Sequence, residues 1–451
     1  MPFPMGHLPS TSPASPTIDD EGCGPKIVSV PPGPRSQAWL RRAAETGTPM
    51  GPTGTGVAQI VYESGRGSYV VDVDGNRYVD LAAGFGALLL GHGHRGIVSS
   101  LLTQAERLLI ALGDIYPSEA RLRLEQDLLR VLDLPSRRVL FGQSGSDAVT
   151  AALKTATLAT GRPGIVAFSG GYHGLGYGPL AACGLRESYR VPFAAQLNAH
   201  VRFLSYPTDL AAADRVLDQL VNCLGAGDIA AILVEPVLGR GGCLVPPPGF
   251  LVKLGARAHA SGAVIIADEI WTGLGRSGSW LSSRAQGLRS DLVCLGKGLG
   301  GGLPISACIG DDGLMQCWSR PEEVVHTATF SGAPLAAASA STTLEMLAAG
   351  DYVQRSSRLG SAWLTTLRSA TEQFHIVREV RGQGLMIGIE LEGDPGAARA
   401  VMVGLLRRGY LVTCGGGQRH TVVLTPPLSI AESELAAFCT VLAEVLTELR
   451  P

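Results

Sequence analysis

Between Arg137 and Leu295 the chain repeats one pattern: a short apolar run, then a stretch with helical periodicity. The runs are RVLF (138–141), GIVAF (164–168), VRFLSY (201–206), IAAILVE (229–235), AVIIAD (263–268) and LVCL (292–295). A strand that is apolar on both sides has no face to give to water. Such strands alternating with helices predict an α/β fold, a mainly parallel sheet covered on both faces.

The 451 residues are 45% hydrophobic and 17% charged, enough for two or three cores and too apolar for global disorder. A net charge of −2 argues against nucleic acid or an anionic membrane as partner. No apolar run approaches the roughly 18 to 20 residues of a membrane span. The opening MPFPMGHLPSTSPASP lacks the basic and apolar segments of a secretory signal. Nine dispersed cysteines without a CxxC predict a reduced, cytoplasmic protein with buried thiols.

The expected organisation has four parts. Residues 1–45 read as a flexible Pro/Ser-rich tail with a short helix near 37–45. Residues 46–95 begin a small domain, with SYVVDV and NRYVDLA pairing around an Asp74-Gly75 turn. Residues 96–340 form the large domain, opening with helices at 97–112 and 118–132. Residues 341–451 complete the small α+β domain, with strands near GLMIGIEL and TVVLT and a last helix from Glu432. A long helix near 335–347 joins the two.

Open α/β sheets bind ligands at the carboxyl ends of their strands. Glu235 closes IAAILVE, Asp268 closes AVIIAD, and Lys297 follows LVCLG. Lys297 is one of only four lysines (26, 154, 253, 297), and its neighbours are apolar or glycine. That setting desolvates an amine, lowers its pKa and leaves it nucleophilic. A loop lysine reaching for solvent is the plain alternative, but the position after a buried strand favours the first reading. Asp268 could cap a helix. Beside a lysine-bound pyridine cofactor it would instead keep the ring nitrogen protonated. FGQSGSDAVTAALKTATLATG supplies a strand, a small-residue turn and a helix from about Asp147, with Gly145 and Ser146 offering donors to a phosphate. An ordinary cap would look the same. Tyr172 in FSGGYHG could stack on a flat ring or be a core tyrosine.

GxGxxG occurs at Gly91, Gly273 and Gly296, but 59 glycines make such matches cheap, and none has the context of a dinucleotide fold. No metal site is expected, since His92 and His94 lack a third ligand nearby.

Taken together, these stretches resemble the class III aminotransferases, the ornithine and 4-aminobutyrate aminotransferase family of fold type I pyridoxal-phosphate enzymes. The likeness runs from about residue 66 to 446. It begins with VDVDGNRYVDLAAGFGALLLGHGH. It continues through SGSDAVTAALKTATLATGR, GGYHG, EPVLGRGG, ADEIWTGLGRSG and LGKGLGGGLP to TFSGAPLAAASASTTLEML. The resemblance implies pyridoxal 5′-phosphate as cofactor and a homodimer with active sites at the interface. Lys297 matches the Schiff-base lysine and Asp268 the partner of the ring nitrogen. Gly145 and Ser146 match the phosphate turn, Tyr172 the stacking aromatic, and Ile270 the apolar residue on the other ring face. Thr329 matches a threonine that reaches the phosphate from the neighbouring subunit. Glu235 and Trp271 complete the expected cofactor-binding set.

The departures concern the substrate pocket, to which Phe85, Arg240 and Val423 are assigned. Many members bind a substrate carboxylate with an arginine in an IRLLPP-like strand, where this chain has VVLTPP and Val423. Its gating glutamate partner is here Arg240, in EPVLGRGG. Trp271 stands where glutamine is common, and Ala333 replaces the asparagine of GGNP. The usual carboxylate clamp is therefore expected to be absent or rebuilt, with Arg240 as a possible source of positive charge. An arginine introduced at 423 would be expected to improve use of carboxylated amines.

The expected function is transfer of an amino group between an amine and a carbonyl substrate. The expected amine is non-standard, such as an amino sugar, as in class III enzymes of aminoglycoside assembly, gentamicin among them. The alternatives are epimerisation, elimination or dehydration on an amino sugar, or an ordinary ω-amino acid aminotransferase. A regulator using this fold would need a DNA-binding N-terminus, and the Pro-rich, non-basic residues 1–45 count against it.

Overall fold

The computed structural model describes residues 24–47, 59–113, 115–320, 324–393 and 395–449. The largest sheet has seven strands, in the order Arg137–Gly142, Ser306–Asp311, Leu292–Leu295, Val264–Asp268, Ile229–Val234, Gly164–Phe168, Val201–Leu204. All the apolar runs read from the sequence lie in it. The five strands from Leu292–Leu295 outward pair in parallel. Ser306–Asp311 was not foreseen and runs antiparallel to both its neighbours. Its SACIGD sequence is small rather than β-branched, and close packing explains why. A Cβ on Gly310 would lie 2.5 Å from Leu292 Cδ2 and 2.7 Å from Met315 Sδ.

Helices cover both faces. Helix Gly145–Thr160 turns Ala148, Ala151, Ala152 and Ala156 onto Ile266, Leu292 and Cys294, its small side chains allowing a close approach. Helices Leu210–Gly225 and Phe250–Ala260 bury Leu217, Leu220, Phe250 and Leu254 against Phe168 and Ile232. Each such side chain contributes about 1.5–3 kcal/mol of burial.

The hairpin around Gly75 forms as expected, pairing Tyr69–Asp72 with Arg77–Asp80; Gly75 takes φ +86°. Tyr410–Leu411 adds to it in parallel, so the two ends of the chain share a sheet. Helices Pro334–Ala349 and Tyr352–Thr371 lead to an antiparallel sheet in the order Val377–Gln383, Met386–Leu391, Thr421–Leu424, Thr413–Gly415. Helix Glu432–Glu448 follows.

Of the expected tail, residues 1–23 lie outside the described residues. Residues 24–45 are not free. The amides of Val28 and Ser29 donate to Asn76 Oδ1 at 2.8 and 2.9 Å. Those of Arg35 and Ser36 donate to the Asp74 carboxylate, at the start of helix Pro34–Thr46. The hairpin turn supplies acceptors that hold the segment down. The first expected helix is also shorter, Arg95–Arg107, because Leu108 turns extended. Among the described residues no helix is long and apolar enough to cross a membrane.

Candidate active site

Asp268 ends its strand, Glu235 follows Val234 directly, and Lys297 lies two residues beyond Leu295. Neighbouring parallel strands thus deliver two acids and an amine to one edge of the sheet. Asp268, 3% exposed, accepts from His173 Nδ1 at 2.7 Å and from the Ile270 amide at 3.1 Å. Burial opposes a charge on His173, but its bond to Asp268 and the nearby carboxylates of Asp268 and Glu235 raise its pKa on balance. Glu235 accepts from the amides of Tyr172 (2.7 Å) and Gly239 (2.9 Å), so its carboxylate ties the GGYHG loop to the EPVLG turn. Burial pushes its pKa up to about 7, with Asp268 adding and His173 opposing.

Lys297 opens a short turn with a backbone φ of +33°, a conformation that side chains with a Cβ rarely adopt. Its ammonium nitrogen lies 4.0 Å from the centroid of the Trp271 ring. Burial lowers its pKa to about 8; Arg240 and Arg276 push the same way, and Asp268 and Glu235 oppose them.

The next strand-to-helix turn makes a cradle. Helix Gly145–Thr160 starts two residues earlier than expected, capped by Ser144, whose Oγ accepts from the Asp147 amide while the Asp147 side chain accepts from the Ser144 amide. The Gly145 and Ser146 amides lie in the first turn, where the helix itself supplies no acceptor. Space is reserved around them. A Cβ at Gly145 would lie 2.8 Å from Ile270 Cδ1, and one at Gly174 or Gly176 would lie 2.8 Å from Ser146. Ser146 Oγ accepts from the Gly176 amide at 3.2 Å and keeps its own proton to give.

On the substrate side, Trp271 and Val423 belong to one buried cluster with Val237, Cys243 and Met386. Val423 is 1% exposed and packed among apolar side chains. Trp271 Nε1 is buried without a hydrogen-bond partner. The Arg240 guanidinium sits 4.9 Å over the Tyr172 ring. Phe85 itself is exposed, although the next residue, Gly86, packs against Trp271. The backbone at Gly84, Phe85 and Gly86 is left-handed (φ +61°, +58°, +80°), and Phe85 lines a separate cavity of about 350 Å³ with Tyr62, Met402, Leu406 and Val412. Thr329 is exposed, and no hydrogen bond among the described residues joins it to Lys297 or Ser146. His173 and Ser144 were missed in the sequence, although His173 stands inside the GGYHG motif.

The residues fit a pyridoxal phosphate. A helix N-terminus with free amides and a hydroxyl suits its phosphate, an oriented carboxylate suits its ring nitrogen, and a desolvated amine suits its aldehyde. The fold is that of the fold type I pyridoxal-phosphate transaminases. Residues 50–446 match the family model Aminotransferase class-III, and the chain belongs to that family. It is 36% identical to the acetylornithine aminotransferase of Mycolicibacterium smegmatis, over 85% of this chain and 92% of the relative. It is 29% identical to the alanine/serine racemase of Pyrococcus horikoshii, with 94% of each chain covered. Among solved structures, an amine transaminase from an uncultivated Pseudomonas species in its PLP-bound form matches at TM-score 0.82 and 29% identity, covering 90% of this chain and 98% of the other. The ornithine aminotransferase of Toxoplasma gondii matches at TM-score 0.81 and 26% identity, covering 92% and 94%. The protein is a pyridoxal-phosphate-dependent aminotransferase of class III.

Proposed function

We propose that this aminotransferase carries an amino group from an amine donor to a carbonyl acceptor, with Lys297 as the residue that holds the cofactor and moves the proton. The observation that carries this is the Lys297 amine, its pKa lowered to about 8, beside the His173-oriented carboxylate of Asp268. Pyridoxal phosphate supplies an aldehyde for amine exchange and a ring that draws electrons from the substrate carbon. The lowered pKa leaves more of the Lys297 amine neutral near physiological pH than an ordinary lysine would have. A neutral amine can take the substrate proton and return it. Asp268 would face the ring nitrogen. The Gly145 and Ser146 amides would hold the phosphate, Ile270 and Tyr172 would flank the ring, and Trp271 Nε1 would be free to donate.

A homodimer is supported by exposed apolar residues after helix Arg95–Arg107: Leu109 (59%), Leu112 (64%), Ile115 (72%) and Tyr116 (68%). A second copy covering them would also give Thr329 a site to reach. The eight free cysteines among the described residues are buried or half-buried, in keeping with a reducing, cytoplasmic setting.

The test is borohydride reduction of the yellow holoenzyme followed by peptide mass spectrometry. The tag is expected on Lys297 and should vanish in Lys297→Ala; a tag on another residue overturns the assignment. Uptake of the cofactor aldehyde by the apo chain should rise with pH and level off above about 8.

The amino-sugar expectation finds no support among the names of the relatives, and cations near the site oppose a polycationic substrate. A second reading, epimerisation, is favoured by the racemase relative with 94% coverage of both chains. Release of a carbonyl product separates the first reading from deuterium uptake without loss of amine, which marks the second.

A further inference from the structure

We propose that Trp271 is the positioning residue of the Lys297 amine: its indole face seats the ammonium group and favours its protonated form without being able to take its proton. This deepens the function proposed above and rests on that reading. Trp271 stands where glutamine is common in the family, so the seat belongs to this chain.

Packing builds the seat. Two residues past Asp268 the side chains of Ile270 and Trp271 part. Ile270 lies against the phosphate turn, where a Cβ on Gly145 would come within 2.8 Å of its Cδ1. Trp271 enters the buried cluster of Val237, Cys243, Met386 and Val423. Its ring is gripped between two glycines. A Cβ on Gly86 would lie 2.4 Å from Nε1 and 2.9 Å from Cδ1, and a Cβ on Gly239 would lie 2.3 Å from Cε3. Either one would push the indole out of place. Gly239 is fixed in turn, since its amide donates to Glu235 Oε2 at 2.9 Å. Trp271 Nε1 is buried with no hydrogen bond, so shape rather than a polar contact sets the angle of the ring.

The Lys297 ammonium nitrogen lies 4.0 Å from the centroid of that ring. Among the described residues it has no hydrogen bond and no ion pair, and Asp268 and Glu235 act on it only across space. The indole face is the contact that the fold provides. The backbone at 297, with φ +33°, fixes where the side chain starts, and the ring fixes where it ends. A carboxylate in that place would bind the nitrogen through directed hydrogen bonds and could accept a proton. An aromatic face attracts an ammonium through its quadrupole and has no lone pair to receive one. The amine is held while its three N–H bonds stay free. Burial disfavours the charge on Lys297, and the ring works against burial.

The test follows capture of pyridoxal 5′-phosphate by the apo chain over pH, read by visible absorbance, with the tagged residue identified by borohydride reduction and peptide mass spectrometry. In capture the Lys297 nitrogen bonds the aldehyde carbon and one water leaves, so the rate follows the neutral amine. Comparison with wild type cancels the cofactor's own titration. Without the ring the charged form loses support, and the midpoint of the rate profile should fall. In Trp271→Leu it should drop by roughly 0.4–1.5 pH units, about a 2- to 30-fold change in the protonation constant. Trp271→Phe keeps an aromatic face and should keep much of the midpoint. Gly239→Ala leaves the indole intact but displaces it, and should also lower the midpoint. Thermal unfolding reports that each variant is folded. A tryptophan that served packing alone would change stability and leave the midpoints together. Midpoints in Trp271→Leu and Gly239→Ala equal to or above that of wild type overturn the proposal and, with the tag on Lys297, leave the aminotransferase reading standing. A wild-type tag on any other residue overturns both.

Discussion

His173 offers a clean way to test how Asp268 is prepared. Its Nδ1 is 2.7 Å from Asp268 Oδ2, with His173 2% and Asp268 3% exposed. His173→Leu removes the donor and leaves the carboxylate with the Ile270 amide alone. A hydrogen bond to a charged group contributes about 1.5–3 kcal/mol, which corresponds to roughly 10- to 150-fold in an equilibrium constant. If the bond orients Asp268 for the cofactor, cofactor affinity should fall within that range. His173→Asn is the control, because an asparagine Nδ2 reaches about where the imidazole Nδ1 does, and it should restore most of the affinity. The assay is titration of apo protein with cofactor, read by visible absorbance, beside thermal unfolding over pH. The pH arm has a definite sign. The fold raises the His173 pKa above its ordinary 6.5, so its contribution to stability is complete below that pH and fades as pH climbs through the raised value. His173→Asn should lack that fade. Equal cofactor affinity in His173→Leu and wild type, with the same pH slope, would refute the reasoning.

Val423→Arg alone should fail, contrary to what the sequence suggests. Val423 is packed against Trp271 and Met386, so the larger side chain costs about 1–3 kcal/mol of overpacking and brings in a buried, unpaired charge. Denaturant unfolding should show the loss, and only Val423→Arg combined with Trp271→Gln should improve kcat/KM for 4-aminobutyrate. Ser144→Ala removes the cap of helix Gly145–Thr160 and should lower stability by about 1 kcal/mol in denaturant unfolding.

The buried strands were legible because a strand apolar on both sides leaves a continuous run that nothing else of that length produces. Their ends then pointed to Glu235, Asp268 and Lys297 without any knowledge of contacts. Ser306–Asp311 escaped because it packs through small residues, and Val377–Gln383 because VREVRGQ is a partly exposed strand at a sheet edge carrying charges. The His173–Asp268 bond joins residues 95 positions apart, and the amides of Tyr172 and Gly239 meet on Glu235 from two different loops. No local periodicity encodes such meetings; they follow from how the loops fold over the sheet. The packing of Trp271 with Val423 was likewise invisible, since a sequence states an identity at each position but not which side chains share a volume.

The left-handed backbone at Lys297 has a further consequence. A residue with a Cβ is disfavoured there, and glycine would sit at ease. Conformational preference and the chemical role proposed for Lys297 therefore pull in opposite directions at this one position. In any descendant of this chain that no longer had to react, Lys297→Gly would be a stabilising substitution. A copy with glycine at 297 could thus persist as a sound fold long after its catalysis had been lost.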